Sequence, residues 1–221
     1  MMQTPWIQAA IDVEDIDLAK QIAFMALDAG AEWLEVGTPL LYTYGHAAIG
    51  MLRKAVGQNA VLVADYKSPF AALCVPRAAE QGVDYVMLTA GYNDWALEHT
   101  MQTCRDYGVK PIFDMAVKPE DMRKEIDKLV RHGAQFIFTR HYSASLDATD
   151  TLQKQDLFPI LLSGEKNFRL GITSDQLAEA QDAVRLGADW ITFGWVLRTP
   201  DPLICKQWID TIRAAKERSL S

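Results

Sequence analysis

The sequence predicts an α/β fold, a single (β/α)8 TIM barrel formed by residues 1–221, and three observations carry the prediction. A short phrase recurs with a period of about 26 residues: a glycine, a small apolar residue, any residue, then usually an aromatic that opens an apolar run. The apolar runs are short, as strands are when both faces of a parallel sheet are buried. Amphipathic stretches of helical period lie between them. A doubly wound open sheet offers the same alternation, but no glycine-rich phosphate loop follows the first apolar run.

Taken in order, strands are expected at residues 7–11, 33–36, 61–65, 85–88, 111–114, 136–139, a weaker 168–170, and 190–193. The phrase is clearest at Gly30-Ala31-Glu32-Trp33, Gly82-Val83-Asp84-Tyr85, Gly133-Ala134-Gln135-Phe136 and Gly187-Ala188-Asp189-Trp190. Gly108 starts a weaker copy, and Gly57 falls where another is due. Each glycine follows a helical pattern, where a left-handed residue commonly ends a helix. Helices are expected at residues 15–29, 119–132, 175–186 and 202–216, with prolines or small polar residues near their starts. Eight strands alternating with helices in 221 residues make a closed barrel.

Composition bounds the partners. The formal net charge is −7 and the pI near 5.1, which argues against nucleic acid, whose phosphates need a basic face. Cys74, Cys104 and Cys205 lie far apart, in no zinc-type spacing and no disulfide framework, so a reducing compartment is expected. Met1 to Trp6 has no basic segment leading into an apolar run, and no stretch approaches the ~20 apolar residues of a membrane span. The expectation is a soluble, cytoplasmic protein without membrane partners.

In such a barrel the chemistry sits where strands end. Asp12 ends the first strand, Glu35 lies on the second, and Asp65-Tyr66-Lys67 ends the third. Asp65 and Lys67 are two apart and point to one side, with Tyr66 pointing away. Burying charge without a partner is costly, so this cluster needs a reason. One is a buried ion-pair network that fixes strand register. The other is chemical: Glu35 and Asp65 hold a divalent ion, and Lys67 stabilises an anionic intermediate. Two carboxylates plus water and substrate oxygens suit Mg²⁺.

The segments Ile7-Gln8-Ala9-Ala10-Ile11-Asp12, Glu35-Val36-Gly37-Thr38-Pro39 and Val63-Ala64-Asp65-Tyr66-Lys67 resemble the first three strands of a known family. It is the 3-keto-L-gulonate 6-phosphate decarboxylase and 3-hexulose-6-phosphate synthase family, among the orotidine-monophosphate-decarboxylase-like, ribulose-phosphate-binding barrels. Gly187-Ala188-Asp189 through Gly194, with Pro200-Asp201-Pro202, resembles the family's final unit. The likeness covers nearly the whole chain in spacing and is motif-specific over the first third. The resemblance implies Mg²⁺ held by Glu35 and Asp65, a cis-enediolate stabilised by Lys67, and substrate hydroxyls met by Asp12. It also implies that Asp114, ending the fifth strand, helps organise the site. A phosphorylated sugar or sugar-acid substrate and a homodimer with sites near the interface complete the expectation.

The chain departs from the family's pattern in three places. The family motif continues to a second aspartate three residues past the lysine, whereas here Lys67-Ser68-Pro69-Phe70 has no acid before Glu80. At the sixth strand Arg140 stands where the family usually has histidine, and His141 follows one residue later. His141 is either a proton donor or a solvated loop residue; His46, His99 and His132 read as loop or outer-helix residues. Phosphate is expected on backbone amides after the seventh and eighth strands, with Gly171, Thr173, Gly194, Arg198 and Arg140 as candidate contacts and Arg169 or Ser174 in support. Yet the family's paired glycines become Leu170-Gly171-Ile172, and Trp195 follows Gly194 where relatives carry arginine or glycine. Tyr42, Tyr44, Tyr92 and Trp95 are expected exposed at the mouth, lining a pocket or a dimer contact.

These residues point to a Mg²⁺-dependent carbon–carbon lyase acting on a keto-sugar (acid) phosphate through an enediolate, foremost by decarboxylation of 3-keto-L-gulonate 6-phosphate. Joining the same intermediate to formaldehyde, as in hexulose-phosphate synthase, is the nearest alternative, and Glu35 to Pro39 with Asp114 lean toward it. Pentulose-phosphate epimerisation expects paired acids and several strand-end histidines that the chain does not offer. A catalytically silent metabolite-binding barrel is the remaining alternative, motivated by the missing aspartate and by Trp195.

Overall fold

The computed structural model describes residues 4–140 and 167–217. Eight parallel strands pair in chain order: β1 (Trp6–Ile11), β2 (Trp33–Val36), β3 (Val61–Ser68), β4 (Tyr85–Thr89), β5 (Lys110–Asp114), β6 (Phe136–Arg140), β7 (Arg169–Thr173) and β8 (Trp190–Phe193). Pairing of β1 with β8 closes the barrel. The described helices are α1 (Ile16–Ala29), α2 (Thr38–Tyr44), α3 (Ala47–Val56), α4 (Ala71–Glu80), α5 (Asp94–Asp106), α6 (Pro119–Arg131), α7 (Leu177–Arg185) and α8 (Pro202–Glu217). A 3-10 turn, Trp195–Arg198, follows β8. No helix among the described residues is long and apolar enough to cross a membrane.

The recurring phrase accounts for this architecture position by position. Its glycines take positive φ, from 66° at Gly108 to 107° at Gly187, which turns the chain from each helix back toward the sheet. The small apolar residue is buried at Ala31, Val83, Ala134 and Ala188. The third position, unassigned in the sequence, holds an acid in three copies, and each acid accepts a backbone N–H near the start of the preceding strand. Glu32 takes that of Ile7 at 2.8 Å, Asp84 that of Leu62 at 2.8 Å, and Asp189 that of Leu170 at 2.7 Å. The same acids pair with Arg213, Arg53 and Arg169 respectively.

The opening aromatic points into the barrel. Trp33, Tyr85, Phe136 and Trp190 join Val63, Met87, Ile112 and Phe138 in one inner cluster, with Trp33 stacked 4.6 Å from Tyr85. These aromatics fill the end where the strands begin. Alternate residues, such as Ile7, Ala9, Leu34, Val36 and Leu62, face outward and bury against Ala19, Ile22, Ala23 and Ala26 of α1 and their counterparts on other helices.

The weak expectation at residues 168–170 is corrected: β7 runs Arg169–Thr173. Gly171 is a strand residue, not a loop residue, because the Trp190 ring occupies the space beside it. A Cβ there would lie 1.8 Å from Trp190 Cε2. The third strand also runs past its expected end at Asp65, through an irregularity. Asp65 pairs with Met87 but Ser68 with Leu88, so Tyr66 and Lys67 are bulged out of register.

Candidate active site

Toward the strand C-termini the inward positions change from apolar to polar. Gln8, Glu35, Asp65, Asp114 and Thr192 are all buried there. Glu35 Oε2 accepts a hydrogen bond from Gln8 Nε2 at 2.5 Å, and β1 and β2 set these two strands side by side. Asp65 is fully buried, and its Oδ1 has no hydrogen-bond partner; the same holds for Gln8 Oε1 and Thr192 Oγ1. Orphaned buried oxygens are rare in a settled core, and three of them line this end of the barrel.

The bulge in β3 shapes the centre of the site. Lys67 has a φ of 45°, the only positive value among the described non-glycine residues. Holding a side chain there costs about 1–3 kcal/mol, so surrounding contacts must fix it. They do: Lys67 Nζ forms an ion pair with Asp65 Oδ2 and donates to Thr38 Oγ1 at 3.2 Å. Thr38, the first residue of α2, in turn donates to Asp65, whose carboxylate and carbonyl lie 3.1 and 3.2 Å away. Asp65, Lys67 and Thr38 thus form one cluster at the mouth, as the spacing of Asp65 and Lys67 predicts, and Tyr66 turns outward toward His46, 2.6 Å from its hydroxyl. Burial pushes the Tyr66 hydroxyl pKa well up, so it stays protonated.

Asp12 stands just beyond β1, between two glycines. A Cβ on Gly37 would lie 2.3 Å from its Oδ1, and one on Gly194 would lie 3.3 Å from its Oδ2. The missing side chains at Gly37 and Gly194 therefore seat the Asp12 carboxylate beside the ends of β2 and β8. Asp114 is buried at the end of β5, paired in register with Phe138.

The β7–β8 end differs from the expected phosphate site. The Gly194 and Trp195 amides, in the loop expected to hold phosphate, both donate to Asp175 Oδ1, at 3.0 and 2.7 Å. The Ser174 amide is spent on the Thr192 carbonyl at 3.0 Å. Thr173 closes β7, and Gly171 lies deeper inside it. Arg198 is exposed and lies 4.5 Å over the Trp195 ring. Arg169 is at the opposite end of the barrel, paired with Asp189, so it cannot support a ligand at the mouth. Arg140 ends β6, and its side chain, like all of His141, lies outside the described residues.

Tyr42 and Trp95 are exposed as expected, but Tyr92 is buried, with its hydroxyl donating to the Ser68 carbonyl at 3.3 Å. His99 stacks on Trp95 and His132 meets Asp94 at 3.2 Å, both on outer helices. Four site residues escaped the sequence reading. Gln8 and Thr192 were detectable as polar residues at inward positions of apolar strands. Thr38 and Asp175 sit at loop–helix junctions, where alternation assigns no direction.

With this geometry in place, likeness to solved structures becomes informative. The barrel matches 3-hexulose-6-phosphate synthase from Salmonella typhimurium with a TM-score of 0.81 at 18% identity, over 96% of this chain and 99% of that one. The chain has the fold of that sugar-phosphate enzyme. It also matches KGPDC from Streptococcus mutans, solved in complex with D-R5P, at a TM-score of 0.76 and 18% identity, covering 96% and 99% of the two chains. A third match is 3-keto-L-gulonate-6-phosphate decarboxylase from Vibrio cholerae, at 0.74 and 20% identity, covering 98% and 99%. In sequence the chain is 29% identical over 126 residues to the bifunctional enzyme Fae/Hps of Methanoregula boonei, a stretch covering 57% of this chain. The match spans about a third, 32%, of that enzyme's length. No family model matches the sequence.

Proposed function

We propose that this barrel is a carbon–carbon lyase that acts on a keto-sugar or keto-sugar-acid phosphate through an enediolate, foremost as a decarboxylase of the 3-keto-L-gulonate 6-phosphate type. The observation that carries the reading is the Asp65–Lys67–Thr38 cluster, with an ammonium held by a carboxylate and a hydroxyl at the barrel mouth. A fixed cation there stabilises oxygen charge that develops as a carbon–carbon bond breaks.

The residues fit Mg²⁺ as well. Asp65 Oδ1 is a buried carboxylate oxygen without a hydrogen-bond partner, and Glu35 lies on the adjacent strand facing the same way. Two carboxylates suffice for an ion that keeps water and substrate oxygens in its shell. Asp65 and Glu35 are the pair that would hold it, and among the described residues no group of three or more histidine, cysteine or acidic side chains gathers as a metal site. When bound, Mg²⁺ supplies a second positive charge against the enediolate oxygens.

The chain's own residues divide the remaining work. Asp12 orients substrate hydroxyls from its seat between Gly37 and Gly194. As the carboxylate carbon leaves as CO₂, its bonding pair stays on the sugar carbon, and Lys67 faces the resulting oxyanion. A proton from His141 or a bound water then takes up that pair, forming a carbon–hydrogen bond where the carboxylate was.

The synthase reading, in which the same intermediate attacks an aldehyde, is favoured by one observation: the curated relative matched in sequence carries an Hps name. The deciding experiment measures CO₂ release from 3-keto-L-gulonate 6-phosphate with Mg²⁺ and with chelator. Metal-dependent release supports the decarboxylase. No release, with formaldehyde-dependent consumption of ribulose 5-phosphate instead, moves the assignment to the synthase. A homodimer belongs to the same proposal and is read by sedimentation velocity.

A further inference from the structure

Barrels of this kind commonly hold phosphate on backbone amides of the loops after the last two strands. Successive N–H groups pointing one way make a concave nest for an anion. Here the nest already has an anion in it, and the anion belongs to the chain. Asp175, two residues beyond the end of β7, places one carboxylate oxygen 3.0 Å from the Gly194 amide and 2.7 Å from the Trp195 amide.

Three further observations bear on what this contact does. A Cβ added to Gly194 would lie 3.3 Å from Asp12 Oδ2, so the nest adjoins the candidate catalytic carboxylate and is not a remote surface loop. Thr192, one inward step deeper on β8, is buried with a hydroxyl oxygen that has no partner. It is a polar group beneath the nest that a ligand reaching in would satisfy. Finally, among the described residues no ion pair reaches Asp175, which is exposed and held by the two amides.

We propose that Asp175 is a self-ligand of the phosphate nest: its carboxylate occupies the Gly194 and Trp195 amides and must swing out before the phosphate of a substrate can bind there. This rests on the sugar-phosphate reading above and makes Asp175 a residue that sets the phosphate affinity of that site. A tethered carboxylate competes at high effective concentration, so a phosphorylated ligand binds with an affinity lowered by the fraction of time the nest is open. A dianionic phosphate offers more acceptors than a carboxylate and can win the exchange, whereas an uncharged ligand end cannot. Asp175 therefore lowers the affinity for phosphorylated ligands by that fraction and leaves ligands that do not use the nest unaffected.

The test titrates inorganic phosphate into full-length wild type, Asp175→Ala and Asp175→Asn by calorimetry, with the Gly194 and Trp195 amide resonances followed by NMR. Asp175→Ala should bind phosphate at least about tenfold more tightly than wild type. Asp175→Asn should fall between, because its amide oxygen still accepts but carries no charge. In both variants the two amide resonances should move on titration. Equal or weaker phosphate binding in both variants, or tighter binding that leaves those resonances still, overturns the proposal. If Asp175→Ala does not fold, Asp175→Asn decides alone, since it keeps the bridge between the loops. Failure of the functional reading looks different: no turnover of the keto-sugar phosphate in any form, yet phosphate binding that still rises in the variants. With turnover present, Asp175→Ala should also lower KM by a larger factor than it changes kcat.

Discussion

The Thr38 hydroxyl accepts a hydrogen bond from Lys67 at 3.2 Å, although the two residues lie 29 positions apart on successive units of the barrel. Thr38 also reaches Asp65, so a single hydroxyl bridges the cation and its counter-ion. Lys67 sits in a left-handed conformation inside a bulge, and Thr38 is one of the contacts that hold it there.

The first prediction follows from that bridge. Lys67→Ala should lower CO₂ release by ~10²–10³-fold, the usual loss when one stabiliser of a developing oxyanion is removed. Thr38→Val keeps size but deletes the hydroxyl, and should reduce kcat by roughly tenfold or more through misplacement of Lys67. Steady-state assays at saturating Mg²⁺ check both. Full activity in Lys67→Ala would end the enediolate assignment.

Gly171→Ala should damage the fold and not only the site. The added Cβ would meet the Trp190 ring at 1.8 Å, in a barrel interior with no slack. Overpacking of this kind costs about 1–3 kcal/mol and occasionally more. A urea titration should show a lower midpoint with an unchanged slope. A midpoint equal to wild type would mean that Trp190 has room to move.

Arg53 should be a stability hot point with no part in chemistry. It is buried, donates to the carbonyls of Gly57, Ala60 and Gly82, and pairs with Asp84. Arg53→Ala leaves these groups unsatisfied and should destabilise by about 3 kcal/mol. Differential scanning calorimetry reads the loss, while kcat of the folded variant should match wild type.

Alkaline pH should unfold the protein progressively. Burial pushes the Cys205 thiol up to about 11 and the Cys104 thiol and Tyr92 hydroxyl up to about 12. Above the ordinary thiol value of 9, the unfolded chain releases these protons before the folded chain does. The folded state then holds more protons, so stability is fully present below about pH 9 and falls as pH rises toward 12. Denaturant midpoints from pH 7 to 11 should be flat and then decline. Replacing Cys104 and Cys205 with alanine should delay the decline, measured relative to each variant's own value at pH 7.

The fold was legible because one phrase encodes several structural needs at once. Gly82 turns the chain, Val83 is buried, and Tyr85 enters the barrel, all within four positions. The burial of Glu35 and Asp65 on the inner face was legible for a related reason, strand alternation, whereas Asp114 was pointed to only by the family resemblance. The β7 boundary was not, because Gly171 answers to a ring 19 residues later and resembles a loop glycine when read locally. Asp175 escaped for the same reason, since its partners, Gly194 and Trp195, arrive only when β7 and β8 pair.

The layer of Trp33, Tyr85, Phe136 and Trp190 makes the barrel a blind well. A ligand at the strand C-termini can reach solvent only at that end. For a reaction that splits one molecule into two, the smaller fragment has to escape past the larger one or wait behind it. For the proposed cleavage, the order of departure is governed at the rim where Asp12, Lys67 and Asp175 stand, and the sealed base plays no part in it.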